Sequence, residues 1–530
     1  MKKTWHFIKN IIFPTFVFGL ITGSLVGGFI TLFKFCAKNV ISWSETTYTF
    51  MRSHWYVVII FAVVLVGISI GIAQYHKTAP NSKGGGIPTA IGILRGLITF
   101  KWYRNFFNVY FLSMLTFFIG VPLGNEGPSV QIGTALGRGT VNLFTKKNRA
   151  WDRYVMTGGA CAGFAVATGA PLTGVLFAME EAHQRISPMI VLVAMTTVIF
   201  AYVTSMLLSP LLGVSINLFP AVQLKAITLP ELWIPAVIGV VIGLFSVLFI
   251  NFHKLVRRFW KDTLKKVKPW IKISISFILT LVFGLISYSF VSTGHDLIID
   301  VTADSISWYM LIFILLFRAT VMLTSNSSGI TGGMFLPILA LGAIVSGLTG
   351  KLLTLTGALS SDYYPLIIML GLTACIAGMM KTPLSAITFA IEALSLFGNI
   401  VSVIIVVSLS YAITELFGAR SINETVIRER VHDINDGKTA KVIDTYVTVQ
   451  KGSFVIDRQI RDILWPANTF VLSIKQNENS PIVDRHGEKF IHDGDVLHIR
   501  FSTYDEQATK KELFALVGEQ DISETTVKKV

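Results

Sequence analysis

Long apolar stretches interrupted by short polar clusters dominate the first four-fifths of the chain. Residues 105–125, 186–224 and 319–350 carry no charged side chain, and each matches or exceeds the roughly 20 residues that cross a bilayer as a helix. The core helix of a soluble protein rarely runs so far without a charge, so the pattern predicts a polytopic all-α membrane protein. Behind the basic start Met1-Lys2-Lys3 the apolar stretch runs on to about Ile30 with no small-residue cleavage site, which reads as an uncleaved first span. The pattern changes near Arg428. Residues 431–444 are polar and hold no span, and short alternating runs follow at 446–449, 470–474 and 496–501. Asp493-Gly494-Asp495 is a turn signal before the last of these, and 506–517 has the spacing of an amphipathic helix. Two parts are therefore expected: a membrane domain over 1–430, and a linker with a small soluble α+β domain over 431–530.

Composition sharpens this reading. With 52% hydrophobic and 14% charged residues, a soluble globular protein is excluded. The net charge of +14 is split unevenly. Residues 1–430 hold 32 Lys and Arg against 15 Asp and Glu, whereas 431–530 hold 13 against 16. The basic residues cluster beside spans, as in Lys146, Lys147, Arg149 and Arg153 and in Lys254, Arg257, Arg258, Lys261, Lys265, Lys266 and Lys268. Such clusters mark cytoplasmic loops rather than a nucleic-acid surface, and they also concentrate anions at an inner mouth. A cell-membrane protein with cytoplasmic termini is expected. Cys36, Cys161 and Cys375 lie far apart in apolar surroundings, as small core residues do, and suggest neither a disulfide nor a metal site.

The membrane part repeats itself. Pro171-Leu172 followed by Phe177-Ala178 and Glu180 returns as Pro383-Leu384, Phe389-Ala390 and Glu392, 212 positions on. Gly124, Pro128 and Gly133 return as Gly333, Pro337 and Gly342, 209 positions on. Duplication of this kind fits transporters built from two inverted halves, with the substrate at the midplane where broken helices meet.

Three segments break the rules of a plain membrane helix: Lys83-Gly84-Gly85-Gly86-Ile87-Pro88, Gly124-Asn125-Glu126-Gly127-Pro128, and Gly329-Ile330-Thr331-Gly332-Gly333-Met334-Phe335-Leu336-Pro337. In each, glycines precede a proline that suits the first turn of a helix. A helix start inside a membrane leaves N–H donors unpaired and carries partial positive charge. Three that converge would form an anion site without Lys or Arg. Ordinary turns between spans are the alternative. Glu126 ends the charge-free run from Asn105 and falls in the first turn of the second start. A carboxylate there is either functional, competing with the anion for the same donors, or a helix N-cap. Glu180 and Glu181 close the helix that starts at Pro171. They read as interfacial acids or as a proton uptake point joined to Glu126 by a water-lined route. Glu392 is followed by Ala393 rather than a second acid, and reads as structural.

Gly85-Gly86-Ile87-Pro88, Gly124-Asn125-Glu126-Gly127-Pro128 and Gly333-Met334-Phe335-Leu336-Pro337 resemble the three signature segments of the CLC chloride channel and transporter family, which read approximately GSGIP, GREGP and GxFxP. The resemblance covers nearly all of 1–430. It implies an inverted-repeat bundle of about eighteen helices, a homodimer with one pore per subunit, chloride and protons as the transported ions, and no cofactor or metal. It implies Glu126 as gate and external proton carrier and Glu181 as the internal proton-transfer group. It implies anion contacts at Gly85, Gly86, Ile87, Glu126, Gly127, Met334, Phe335 and Asn423. Gly85 stands where the family usually has a pore serine, Asn125 where it has Arg, and Asn423 where it has the central tyrosine. Residues 441–517 resemble the RCK or TrkA C-terminal module of prokaryotic potassium-transport proteins, which implies a bacterial or archaeal regulatory domain that binds an unidentified small ligand. The activity so implied is chloride/proton antiport, with a passive chloride channel as the alternative and a fluoride exporter further off. No Thr-Val-Gly-Tyr-Gly filter occurs, which argues against a potassium channel.

Overall fold

The computed structural model describes residues 5, 8–84, 86–144, 149–220, 222, 224–475, 483–484, 487–519 and 523–529. Among these residues, nine helices are long and apolar enough to cross a membrane. The first half of the membrane domain contains α1 (Phe13–Ser53), α2 (Trp55–Thr78), α3 (Ile87–Leu94), α4 (Trp102–Ile119), α5 (Glu126–Phe144), α6 (Asp152–Thr168), α7 (Pro171–Phe177) and α8 (Pro188–Leu212). The second contains α9 (Trp233–Arg258), α10 (Pro269–Ile286), α11 (His295–Thr302), α12 (Trp308–Ser328), α13 (Phe335–Leu355), α14 (Tyr364–Cys375), α15 (Pro383–Ala393) and α16 (Ile400–Leu416). A further helix, α17 (Ile422–Ile434), leads out to the tail.

Eight helices follow eight, with short helices at the third and seventh places of each half, and the match extends to hydrogen bonds. Helices α3, α5 and α7 begin 208, 209 and 212 positions before α11, α13 and α15. The N–H of Gly84, ahead of α3, donates to the carbonyl of Gly329 at the end of α12 at 2.7 Å. The N–H of Ser292, ahead of α11, donates to the carbonyl of Gly120 at the end of α4 at 2.6 Å. Gly124 and Gly333 form an antiparallel bridge, each N–H donating to the other's carbonyl at 2.7 and 2.9 Å. Glu392 Oε1 and Oε2 accept from the N–H groups of Leu172 and Thr173 at 2.7 and 2.9 Å, and Glu180 accepts from those of Leu384 and Ser385 at 2.8 and 2.7 Å. Each carboxylate thus caps the first turn of the opposite short helix, which requires α7 and α15 to run antiparallel. The exchange of partners across every one of these contacts is what an inverted repeat predicts.

Helices of seven to eleven residues, such as α3, α7, α11 and α15, are too short to span a bilayer. Helix α5 is buried along most of its length because it packs backbone to backbone on α6, where a Cβ on Gly133 would lie 2.0 Å from the carbonyl oxygen of Gly159.

The tail is a five-stranded antiparallel sheet: β1 (Lys441–Thr448), β2 (Thr469–Lys475), β3 (Val483–Asp484), β4 (Val496–Thr503) and β5 (Ser523–Lys529), in the order β3-β2-β4-β1-β5. Helix α18 (Glu506–Val517) adds Leu513 and Leu516 to the core formed by Ile443, Val447, Leu497, Ile499 and Phe501. The polar segment expected over 431–444 is shorter than the pattern suggests. Helix α17 runs to Ile434 and β1 begins at Lys441, because Ile443 continues the inward alternation of Thr445 and Val447 while Asp444 faces Arg500 and His498 of β4.

The tail docks on the membrane domain through buried polar contacts. The Tyr154 hydroxyl donates to the carbonyl of Asp462 at 2.7 Å and accepts from the N–H of Leu464 at 2.9 Å. Arg153 reaches the carbonyls of Leu464 and Trp465, and Arg185 that of Ile463. Arg458 lies over the Phe454 ring, 3.3 Å from its centroid, close to Trp151.

Candidate functional site

The three glycine-proline starts meet at one point. A Cβ on Gly127 would lie 2.7 Å from the Cα of Gly333 and 3.1 Å from the Cα of Gly86. Only three residues without side chains can make this contact, and it draws the beginnings of α3, α5 and α13 together. Among the described residues no carbonyl accepts from the N–H groups of Glu126, Gly127, Met334 or Phe335, the orphan donors that a helix start leaves. Ile87, Gly127, Met334 and Phe335 are all buried. Gly85 lies outside the described residues.

Glu126 sits at this junction with no surface exposed. Neither carboxylate oxygen makes a well-aligned hydrogen bond among the described residues, and the backbone N–H groups of Glu126 itself and of Leu336, at the start of α13, face it. A Cβ on Gly124 would come 2.4 Å from Glu126 Oε2, with Leu336 and Pro337 close by. The carboxylate therefore occupies the space that glycine leaves free at the start of α13. Burial of a carboxylate is costly, and a helix start is the place where that cost is least.

The N–H of Gly86 does not face this junction as a free donor. It donates to Gln131 Oε1 at 2.6 Å, and Gln131 Nε2 in turn donates to Asn105 Oδ1 at 2.7 Å. Arg430 of α17 closes the same start from the other side, holding the carbonyls of Lys83 and Gly84 and the hydroxyl of Thr89. Gln131 and Arg430 were not picked out by motif. The signal for Gln131 is an amide on a wholly buried stretch of α5, five residues after Glu126.

Glu181 lies beyond α7 in a π-turn, Ala178–Ala182, and is 9% exposed. Asn423, at the start of α17, donates its amide to Glu181 Oε1. The position aligned with the central tyrosine and the candidate internal proton acceptor are thus in direct contact. Glu180, its neighbour, is committed to capping α15.

Two cavities flank Glu181. One of about 10 Å³ lies between Phe335, Phe389, Phe164 and Glu181, with the hydroxyls of Thr173, Thr382 and Ser385 in its wall. That is room for about one water molecule. The other, of about 300 Å³, runs from Glu181 and Asn423 past Arg95, Lys381, Glu424 and Arg428 to the outside. The order from the junction is Glu126, Phe335, a one-water cavity, Glu181 and then an open vestibule. No group of acids, histidines and cysteines arranged to hold a metal occurs among the described residues.

Comparison with known proteins gives the family of the chain. The family described as voltage gated chloride channel matches residues 66–415. The H(+)/Cl(-) exchange transporter ClcA of Vibrio parahaemolyticus is 27% identical over 427 residues, 77% of this chain and 88% of the relative. That of Klebsiella pneumoniae strain 342 is 27% identical over 420 residues with the same coverage. Among solved structures, a slow cyanobacterial Cl-/H+ antiporter superposes with a TM-score of 0.71 at 22% identity, over 79% of this chain and 99% of that one. A CLC-type fluoride/proton antiporter superposes with a TM-score of 0.62 at 22% identity, over 77% and 96%.

Proposed function

Because this chain belongs to the voltage gated chloride channel family, generally called CLC, we propose that it is an antiporter that moves chloride across the cell membrane in exchange for protons. One observation carries the reading. A wholly buried carboxylate, Glu126, lies at the junction of three helix starts with no well-aligned hydrogen bond, facing the backbone N–H groups of its own residue and of Leu336. An anion and this carboxylate would compete for the same N–H donors at Gly127, Met334 and Phe335. Protonation removes the charge that holds Glu126 there, so proton uptake and anion access alternate. Glu181 supplies the second half of the cycle. It faces the inner vestibule on one side and, across a cavity of about 10 Å³, Phe335 on the other. A single water in that cavity would extend a hydrogen-bonded route toward Glu126.

In this reading Glu126 is the gate and external proton carrier and Glu181 the internal proton-transfer group. The anion passes the backbone of Gly86, Ile87, Gly127, Met334 and Phe335 and then Asn423. The vestibule lined by Arg95, Lys381 and Arg428 is cytoplasmic, as are the termini, and the molecule is a homodimer. Residues 431–530 form a separate regulatory unit of RCK or TrkA C-terminal type with an unidentified small ligand. A passive chloride channel of the same fold is the second reading. It is favoured by Asn423, whose short side chain replaces a phenol ring where the vestibule narrows. Purified protein in liposomes separates the two: an imposed chloride gradient drives protons uphill in an antiporter, and chloride efflux without proton movement identifies a channel.

A further inference from the structure

The end of α3 carries a charged side chain that neither the anion site nor the proton route accounts for. Arg95 follows the last residue of α3 and keeps about 20% of its side chain exposed. All three of its guanidinium nitrogens are used. Nε donates to the carbonyl of Ala182 at 2.8 Å, Nη2 to the carbonyl of Glu181 at 3.0 Å, and Nη1 to Glu424 Oε2 at 2.9 Å. The first two acceptors are among the carbonyls that the π-turn leaves open where its helix stops. The third belongs to the residue after Asn423, whose amide holds the Glu181 carboxylate. The contacts close a ring: Arg95 to the Glu181 backbone, the Glu181 carboxylate to Asn423, and Glu424 back to Arg95.

We propose that Arg95 is a positioning residue for proton transfer, fixing the Glu181 carboxylate against Asn423 and tying it to the anion site through α3. This rests on the reading of Glu181 as internal proton acceptor. Helix α3 has eight residues, about 12 Å of rise. Its first turn packs against Gly127 at the junction of helix starts, and Arg95 grips Glu181 from its last. A short rigid helix therefore spans the distance between the two chemistries, and displacement at one end reaches the other. Arginine suits the task because its planar fork satisfies three acceptors at fixed angles, which a lysine cannot do. A role confined to capping the π-turn would need only the two carbonyls. The bond to Glu424 is what adds Asn423, and with it the orientation of the carboxylate.

The test uses the full chain in liposomes, with chloride efflux and proton movement recorded together for wild type, Arg95→Ala, Arg95→Lys and Glu181→Gln. In Arg95→Ala the ratio of proton to chloride flux is expected to fall about tenfold, within the loss of up to about 10²-fold that a 1 Å misplacement of a reacting group can cause. Arg95→Lys should give an intermediate ratio. Equal falls in both fluxes, leaving the ratio at its wild-type value, would mean that Arg95 only supports the fold and would overturn the proposal. If Arg95→Ala does not yield folded protein, Arg95→Lys decides, and a wild-type ratio there overturns it. Glu181→Gln separates the two claims. Coupling lost in Glu181→Gln but kept in Arg95→Ala refutes the role of Arg95 alone. Coupling kept in Glu181→Gln refutes the reading of Glu181, and with it this inference.

Discussion

At the start of α5 the chain carries Glu126, and at the equivalent start of α13, 209 positions on, it carries Phe335. Beyond α7 stand Glu180 and Glu181; at the matching positions of α15 stand Glu392 and Ala393. Glu180 and Glu392 have the same task, each capping the other half's short helix through three hydrogen bonds. Glu126 and Glu181 have no counterpart. The two capping carboxylates thus agree between the halves, whereas the two acids that can carry a proton break the repeat. An acid that repeats can be explained by architecture alone, whereas one that breaks the repeat, at 0% and 9% exposure, needs another reason to be there.

The largest effect follows from removing that asymmetry. Glu126→Gln keeps size and hydrogen-bonding capacity but cannot ionise. The amide does not compete as an anion for the helix-start donors, so chloride should bind more readily and still cross. Proton movement should fall by at least about 10²-fold, the scale of losing a positioned acid–base group. In wild type, flux should rise as pH falls, because protonation of the carboxylate vacates the site; Glu126→Gln should be flat over the same range. Phe335→Leu, at the matching position of the second half, should alter chloride flux and leave coupling in place. Coupling retained in Glu126→Gln would make this residue a helix cap like any other and remove the contrast between the halves.

Much of this contrast was legible in the sequence. The offsets of 209 and 212, the three glycine-proline starts and the isolation of Glu126 in a charge-free run are local patterns, and each leaves a periodic or compositional trace. What stayed hidden depends on side chains brought together by packing. Glu180 looked like one of a pair of acids until the α15 N–H groups appeared beside it. Gln131 and Asn105 are separated by 26 residues and take up the Gly86 donor that the motif assigned to the anion. Asn423 reaches Glu181 from 242 residues away. Arg153 belonged to a basic cluster that charge alone assigns to a loop, yet it is half-buried and bonded to the carbonyls of Leu464 and Trp465 of the tail. No periodicity records such contacts.

A smaller effect tests the symmetric side of the comparison. Glu180→Gln and Glu392→Gln each replace a charged cap by a neutral one with the same reach. Each should lower stability by about 1 kcal/mol, the usual worth of a helix N-cap, and by similar amounts, since each carboxylate accepts three bonds of 2.7–2.9 Å, of which one amide oxygen can keep only part. Thermal melts of the purified protein measure the loss, and flux ratios should stay at the wild-type value in both. If Glu180→Gln abolishes coupling while Glu392→Gln does not, Glu180 belongs with Glu181 and the division between scaffold and chemistry is misplaced.

The smallest effect concerns the starts of α3 and α11, where Gly86-Ile87 and Gly294-His295 occupy matching positions. Ile87 is 3% exposed, but His295 reaches a loop: Nε2 to the carbonyl of Leu218 at 2.7 Å and Nδ1 to Asp296 Oδ1 at 3.1 Å, with its ring stacked on Phe219. Burial works to lower the pKa of this histidine, but the bonds to Asp296 and the Leu218 carbonyl, with the charge of Glu126 behind them, outweigh it and hold the group above its ordinary value. A raised pKa contributes stability that is fully present below about 6.5 and is lost as pH rises through the higher folded value. His295 keeps 34% of its side chain exposed and Asp296 76%, so solvent screens the pair to about 0.5 kcal/mol. Asp296→Asn should therefore speed hydrogen exchange of the backbone amides at 216–219 by roughly twofold at pH 6 relative to wild type. At a pH well above the raised pKa, where the imidazole has lost its charge, the two should exchange alike. A difference that persists there would mean that Asp296 holds the loop by geometry rather than through the charge on His295, and that this start differs from its partner in shape alone.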